Sequence, residues 1–596
     1  MARKPCRALK EGYRQTLTSR FTNPTRRRHA RTDAVTGTYK YRPLRNPRGC
    51  IRLLYLFPRS LSRASQERSI LSCMLLNYRI DKAPPYTALS YTWGDATLCR
   101  QINVGGKLLH ITKNLAVALR HLQEKNKTIV LWVDAVCINQ QDEAEKGPQV
   151  QMMGKTYMQA SVVLVWLGPS KDGSDEIMHW IRHSKLKQKD LKDLAKLSPS
   201  ERLRTLPEAM AVFLARPWFS RVWVTQEVAL NKNVIFVCGR KDVWKNAFLT
   251  RILVAADILH STGNETFPFH FGRFQNHRPF GLKEYTTASP VARSLLYAKF
   301  LHASEPKDFV YSLLGMISDS EQYQVIVDYT KSVEEVYTNF TAALIKAGGF
   351  WYVSKVIRPS LTYPKLPSWV PDWSATLVNW TGDHHYRIPD SKAEVCEIDE
   401  GGHLLRLSAL GVDGIESVEY SHLDNDLSAT MSLENICQFL PKLATTLTRF
   451  PGADGRDKVD RTVFRMTMKV PRKRAYKSTS KRGELYRSYL ATRGLARAPE
   501  SIEDPETWQA EKSREYISFL ESAYVQNIFV TSEGAVGLAS GNVQPGDSLF
   551  LLSDLECLWA LREVRPGQYR IVCPASTNPS TDLTEKDHPI ATIEIC

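Results

Sequence analysis

The chain has 596 residues, 43% hydrophobic and 24% charged, which exceeds one ordinary core and predicts two or three folded domains. Its net charge of +18 suggests a polyanion partner at first sight, but the charge is concentrated. Residues 1–38 carry ten Lys/Arg against two acids and residues 456–497 carry fourteen against three, so the rest is close to neutral and no groove for nucleic acid is expected.

The eleven cysteines show no C-x-x-C or Cys/His pairing of zinc-site spacing, which reads as reduced thiols in a cytoplasmic protein. No apolar run approaches the ~20 residues that span a bilayer, and no secretory signal pattern is visible. The Arg-rich start reads as a disordered basic tail over 1–38, with a mitochondrial transit segment as the alternative.

In chain order, the runs Ile51–Phe57, Ile70–Leu76 and Tyr86–Tyr91 have strand length and apolar content. Residues 114–123 (NLAVALRHLQ) carry helical spacing, with Asn114 predicted as the cap. IVLWV (129–133) is a β-prone run ending at Asp134. A polar loop with Asn139 and Gln140 comes next, then a helix through Val150, Met153 and Tyr157, then the buried-type strand SVVLVWL (161–167). Strand, helix and strand, with both strands apolar throughout, predict a parallel βαβ unit. Ligands bind such sheets beyond the strand carboxyl ends, which makes Asp134, Asn139 and Gln140 candidates, and likewise Ser90, Trp93 and Asp95 after the 86–91 strand. Pro207–Asn231 reads as two helices broken at Arg216-Pro217, because the residue before proline leaves α geometry.

From 241 to 375 the pattern is mainly helical, with Pro290–His302, Phe309–Met316 and Ser332–Ala347 as its clearest helices. From 376 to 596, short strands and Gly/Pro turns predict a β-rich domain, interrupted by a basic disordered insertion at about 455–500. His179 and His183 lack the intervening acid of H-E-x-x-H and read as a solvated helix face; no metal site is expected.

Three strings stand out: YTALSYTWGD (86–95), LWVDAVCINQQDEAEKGPQVQMMGKTYMQASVVLVWLG (131–168) and RPWFSRVWVTQE (216–227). They resemble, in order and spacing, the three blocks of the fungal heterokaryon incompatibility (HET) domain, here covering about 40–240. EPKDFVYSLLGM (305–316), VDYTKSVEEVY (327–337) and LPSWVPDWS (366–374) are similar to segments C-terminal to that domain in large members of the family. The resemblance implies an effector of non-self recognition and programmed cell death, acting through self-association and a separate recognition partner. It also implies a TIR-like fold, a flavodoxin-like parallel sheet flanked by helices. Many TIR domains hydrolyse NAD at the nicotinamide–ribose bond with one glutamate in a W-x-x-x-E setting. Trp223 and Glu227 fit that setting, so NAD is the implied substrate, with no cofactor required.

The chemistry suits such residues. Loss of nicotinamide passes through an oxocarbenium-like state, so a carboxylate must hold the ribose hydroxyls and offset positive charge while water attacks. Ser90, Trp93, Asp95, Asp134, Asn139, Gln140 and Trp223 offer hydroxyl, amide, carboxylate and ring contacts. No Gly-rich phosphate loop is present. The plain alternatives stand beside these: Glu227 as an ion-pair partner of Arg221 or Arg216, the tryptophans as core, and Asp134 as a turn cap. Two other functions also remain open, a non-enzymatic module of the same fold and nucleic-acid binding through the basic segments.

Overall fold

The structure is a computed structural model. It describes residues 37–59, 70–183 (except 96 and 98), 209–252 (except 211), 301–315, 325–346, 353, 362–375, 396–421 (except 400), 445–446, 527–552 (except 540), 558–577 and 590–596. The chain divides into two units, Met1–Val333 and Glu334–Cys596. Residues 1–36 of the basic tail, the 455–500 insertion and nearly all of the predicted 290–302 helix lie outside the described residues, while Thr38, at the end of the tail, bridges to Leu108.

The apolar runs of the first unit assemble one nine-stranded sheet: β1 (Cys50–Leu56), β2 (Leu71–Arg79), β3 (Thr87–Tyr91), β4 (Cys99–Val104), β5 (Lys107–Thr112), β6 (Ile129–Trp132), β7 (Val162–Trp166), β8 (Val234–Cys238) and β9 (Lys241–Trp244). Its order is β5-β4-β2-β1-β6-β3-β7-β8-β9. The sheet is mixed, which corrects the expectation of a parallel one. The four central strands β6, β3, β7 and β8 run parallel, while β1, β5 and β9 pair antiparallel with their neighbours. The sequence pattern explains the split. Strands β3 and β8 are buried at every position, as strands covered on both faces must be, whereas β4 and β5 mix polar with apolar residues and are largely exposed or half-buried.

β6 and β7 are joined through helices but are not neighbours, because β3 is inserted between them. That insertion brings the carboxyl ends of β3 and β6 side by side, with Trp93 just beyond one and Asp134 just beyond the other. The β4–β5 hairpin closes on Gly105 and Gly106, both at positive φ (57° and 88°), where a side chain would be strained. The helix after β5 spans Lys113–Leu122, and its cap is Thr112, whose hydroxyl accepts from the Leu115 N–H at 3.3 Å. Asn114 is therefore not the cap. It donates to the Thr92 carbonyl at 2.5 Å and tethers the loop after β3.

The helices Glu143–Gln151 and Met153–Gln159 cover the sheet. Against them packs a segment from beyond β9. A Cβ on Gly154 would stand 2.6 Å from the Cα of Gly315, and one on Gly147 would stand 2.6 Å from the Val327 carbonyl oxygen. The backbones meet with no side chain between them. Gln151 adds two bonds, accepting from the Val327 N–H at 2.8 Å and donating to the Val325 carbonyl at 3.3 Å.

In the second unit, the helix Val333–Lys346 precedes an all-β sheet of β10 (Cys396–Ile398), β11 (Leu405–Ser421), β12 (Asn527–Thr531), β13 (Val536–Ala539), β14 (Ser548–Leu552), β15 (Leu558–Arg565), β16 (Gln568–Thr577) and β17 (Ile590–Ile595). The long β11 pairs with both β12 and β14, so the path β11-β12-β13-β16-β15-β14 closes on itself as a barrel. Register shifts along β11 at Gly411/Asp413 and Ile415/Ser417 bend it between the two partners. Side chains including Leu410, Phe529, Leu549, Leu551 and Leu558 fill the interior. No helix among the described residues is long and apolar enough to cross a membrane.

Candidate functional site

Beyond the carboxyl ends of β3 and β6 lies a cleft of about 550 Å³. Thr92, Trp93 and Gly94 line it from the β3 side, Asp134, Ile138 and Gln140 from the loop after β6, and Lys146 and Met153 from the covering helices. Arg221 and Trp223 contribute from the segment before the helix Val224–Ala229. The remaining wall comes from His302 to Asp308 and Tyr329. This wall docks by backbone pairing, since the His302 N–H donates to Ser220 and the Val222 N–H donates to His302. The sequence pattern assigns these residues to a separate helical region and marks no site residue among them. The strings EPKDFVYSLLGM and VDYTKSVEEVY hold the signal, but their pattern alone gives them no role in a site.

Glu227, in the helix Val224–Ala229, is 1% exposed and is not among the described residues lining the cleft. Its Oε2 accepts from the Ser90 hydroxyl, and Ser90 Oγ in turn accepts from the Trp218 indole N–H at 2.8 Å. Arg221 reaches both carboxylate oxygens, at 3.2 and 3.4 Å. Arg221 also lines the cleft, so the residue that holds Glu227 is the one that meets the open volume. Arg216, the other candidate partner, is used elsewhere. It donates to the carbonyls of Leu167 and Lys171 and touches the Cys238 sulfur at 3.0 Å.

The electrostatics arise from burial. Desolvation pushes the Glu227 carboxyl above its ordinary range, against the pull of Arg221 and Ser90. The Asp134 carboxyl is likewise raised by burial, with Arg221 and the Trp93 N–H opposing. Burial works against the Arg221 charge, but Glu227 and Asp134 outweigh it and hold the guanidinium more firmly protonated. One cation thus serves two desolvated carboxylates. Such clusters are concentrated at working sites and also occur in structural ion-pair networks.

The other sequence candidates divide. Trp93 is 40% exposed, and its Nε1 donates to Asp134 Oδ2 at 2.8 Å. Gln140 lines the cleft and donates to the Asp134 carbonyl at 3.1 Å, so it braces the loop that carries Asp134. The Trp223 indole donates to Asp308 Oδ2 at 3.0 Å. Asn139 spends its side chain inside its own loop, accepting from the Gln141 N–H, and Asp95 accepts from Thr97 in an exposed turn. Neither of these two lines the cleft.

Comparison with known proteins agrees with the part of the chain that builds this site. Residues 86–227 match the family model described as heterokaryon incompatibility protein (HET). The chain is 28% identical over 432 residues to the heterokaryon incompatibility protein 6, OR allele, of Neurospora crassa. That match covers 58% of this chain and 62% of the relative, so the similarity spans less than two thirds of the relative's length. No solved structure matches the chain.

Proposed function

We propose, from the match of residues 86–227 to the HET family model, that the chain is an effector of fungal non-self recognition and cell death whose cleft hydrolyses NAD at the nicotinamide–ribose bond. One observation carries the reading: a buried glutamate, held by Ser90 and Arg221, lies one side chain behind a cleft with Asp134 and two indoles on its walls. The four parallel strands β6, β3, β7 and β8 support a TIR-like assignment of the centre of the sheet.

In this reading Arg221 is the movable part. The substrate pyrophosphate competes well for a guanidinium, because each phosphate offers the same bidentate geometry as a carboxylate and the two together carry two charges. Drawing Arg221 toward the ligand uncovers Glu227, which then holds the ribose hydroxyls. Nicotinamide leaves with the bonding pair as a neutral base, and water adds at the anomeric carbon and releases a proton. The products are ADP-ribose, nicotinamide and H⁺. Self-association and a recognition partner belong to the same proposal.

The Arg221–Glu227 pairing also favours a second reading, in which the cluster is purely structural and the output is assembly. Incubating the full chain with NAD and following nicotinamide release separates the two. Release by the wild type that is lost in a folded Glu227→Ala variant supports hydrolysis. An inert wild type that still kills expressing cells, with Glu227→Ala killing equally, leaves the assembly reading.

A further inference from the structure

Asp308 opens the helix Asp308–Leu314, outside the residues matched by the HET model, yet it lines the same cleft as Trp223 and Tyr329. Its two oxygens are both engaged. Oδ2 accepts from Trp223 Nε1 at 3.0 Å and Oδ1 accepts from the Tyr329 hydroxyl at 2.8 Å. Lys146 stands 4.0 Å from the centre of the Tyr329 ring, and Lys307 donates to the Tyr329 backbone carbonyl at 2.8 Å, so the ring and the main chain of Tyr329 each have a cation partner. Across the cleft wall the arrangement repeats, with Asp134 accepting from the Trp93 indole.

An indole has one donor. Once that N–H is committed, rotation of the ring is restrained and its face becomes a fixed contact surface. Only a carboxylate, acceptor at both oxygens, can take the indole and the phenol together; an amide would turn an NH₂ toward one of them.

We propose that Asp308 is a positioning residue of the cleft: by holding the Trp223 indole and the Tyr329 hydroxyl at once, it sets Trp223 as a flat wall against which a heteroaromatic ring of the substrate packs. Only the identity of that ring rests on the NAD reading above. The cleft of the HET domain is then incomplete without residues 302–308 and Tyr329, and a fragment ending near residue 240 lacks this wall.

The test uses the full chain labelled with 5-fluorotryptophan and read by ¹⁹F NMR, with Trp223→Phe and Trp93→Phe identifying the two cleft resonances. Asp308→Asn is expected to displace or broaden the Trp223 resonance while the Trp93 resonance stays in place. Should that variant fail to fold, Tyr329→Phe removes only one hydroxyl and carries the same expectation with a smaller displacement. An unmoved Trp223 resonance in the folded variant, or tryptophan resonances that all shift together, overturns the proposal. In NAD hydrolysis, Asp308→Asn should raise KM about tenfold, the loss of one hydrogen bond to a charged group, with kcat changed much less. A kcat loss with unchanged KM contradicts the positioning role. A displaced Trp223 resonance in a protein that neither binds nor cleaves NAD keeps the positioning role and removes the NAD reading.

Discussion

Two buried Arg–Glu pairs in the first unit have the same chemistry and opposite characters. Arg52 and Glu145 are 1% and 3% exposed and meet as a fork at 2.5 and 2.6 Å. Arg52 also donates to the carbonyls of Cys137 and Arg42, and Glu145 Oε1 accepts from the Asn139 N–H. Burial would raise the Glu145 carboxyl, but Arg52 and the backbone outweigh it and the net shift is downward. Arg221 and Glu227 meet at 3.2 and 3.4 Å, Arg221 is 17% exposed, and Asp134 competes for it. There the carboxyl shift is upward. A closed, fully bonded pair fixes the chain at Cys137 and Asn139, where the short helix Asp134–Cys137 ends and the next loop begins. A longer pair with a surplus acid, beside open volume, can rearrange. Ion pairs of one composition are told apart by how completely each atom is satisfied.

Breaking the closed pair should cost most. Glu145→Ala leaves the Arg52 charge buried without its partner, and a loss of about 3–5 kcal/mol is expected by denaturant titration. Gly154→Ala comes next. Its methyl would meet Gly315 backbone, which cannot rotate away, so about 2–3 kcal/mol should be lost in the same titration. Glu227→Ala should cost less, about 1–2 kcal/mol, because Arg221 keeps Asp134 and faces the cleft. A Glu227→Ala loss as large as that of Glu145→Ala would erase the distinction between the pairs.

Acidity separates them by sign. Glu145 has a lowered folded pKa, so its stabilisation is complete above 4.5 and fades as pH falls through the lowered value. Glu227 has a raised one, so its favourable contribution is complete below 4.5 and fades as pH rises through the raised value. The stability difference between wild type and Glu145→Gln should therefore grow with pH, while that between wild type and Glu227→Gln should shrink. Parallel slopes would contradict the comparison. The smallest effect is expected at Asp95→Asn, an exposed turn acid bonded to Thr97, with stability within about 0.5 kcal/mol of wild type.

Strands are legible in the sequence where apolar residues run together, as in VVLVW and VIFV, bounded by turn residues. The β4–β5 hairpin escapes that reading because CRQINV and KLLHIT are broken by polar residues. Its Gly105-Gly106 pair is the available signal. At the site, the strand-end rule brings Trp93, Asp134 and Gln140 to one cleft, while Asp95 and Asn139 obey the same rule and turn their side chains into local bonds. The choice between Arg216 and Arg221 is not local, since both arginines lie close to Glu227 in sequence and differ only in what folds beside them. Asp308 is out of reach for a simpler reason: its bond to Trp223 joins residues 85 positions apart.

The contact of Gly154 with Gly315 has a consequence for how this cleft can change. Main chain rests on main chain there, so the separation of the two walls is set by atoms common to every residue. Exchanging side chains around the rim alters what the opening admits and how tightly, but leaves its width where it was. The gap behaves as a fixed gauge, and new ligand preferences would have to arise by relining it.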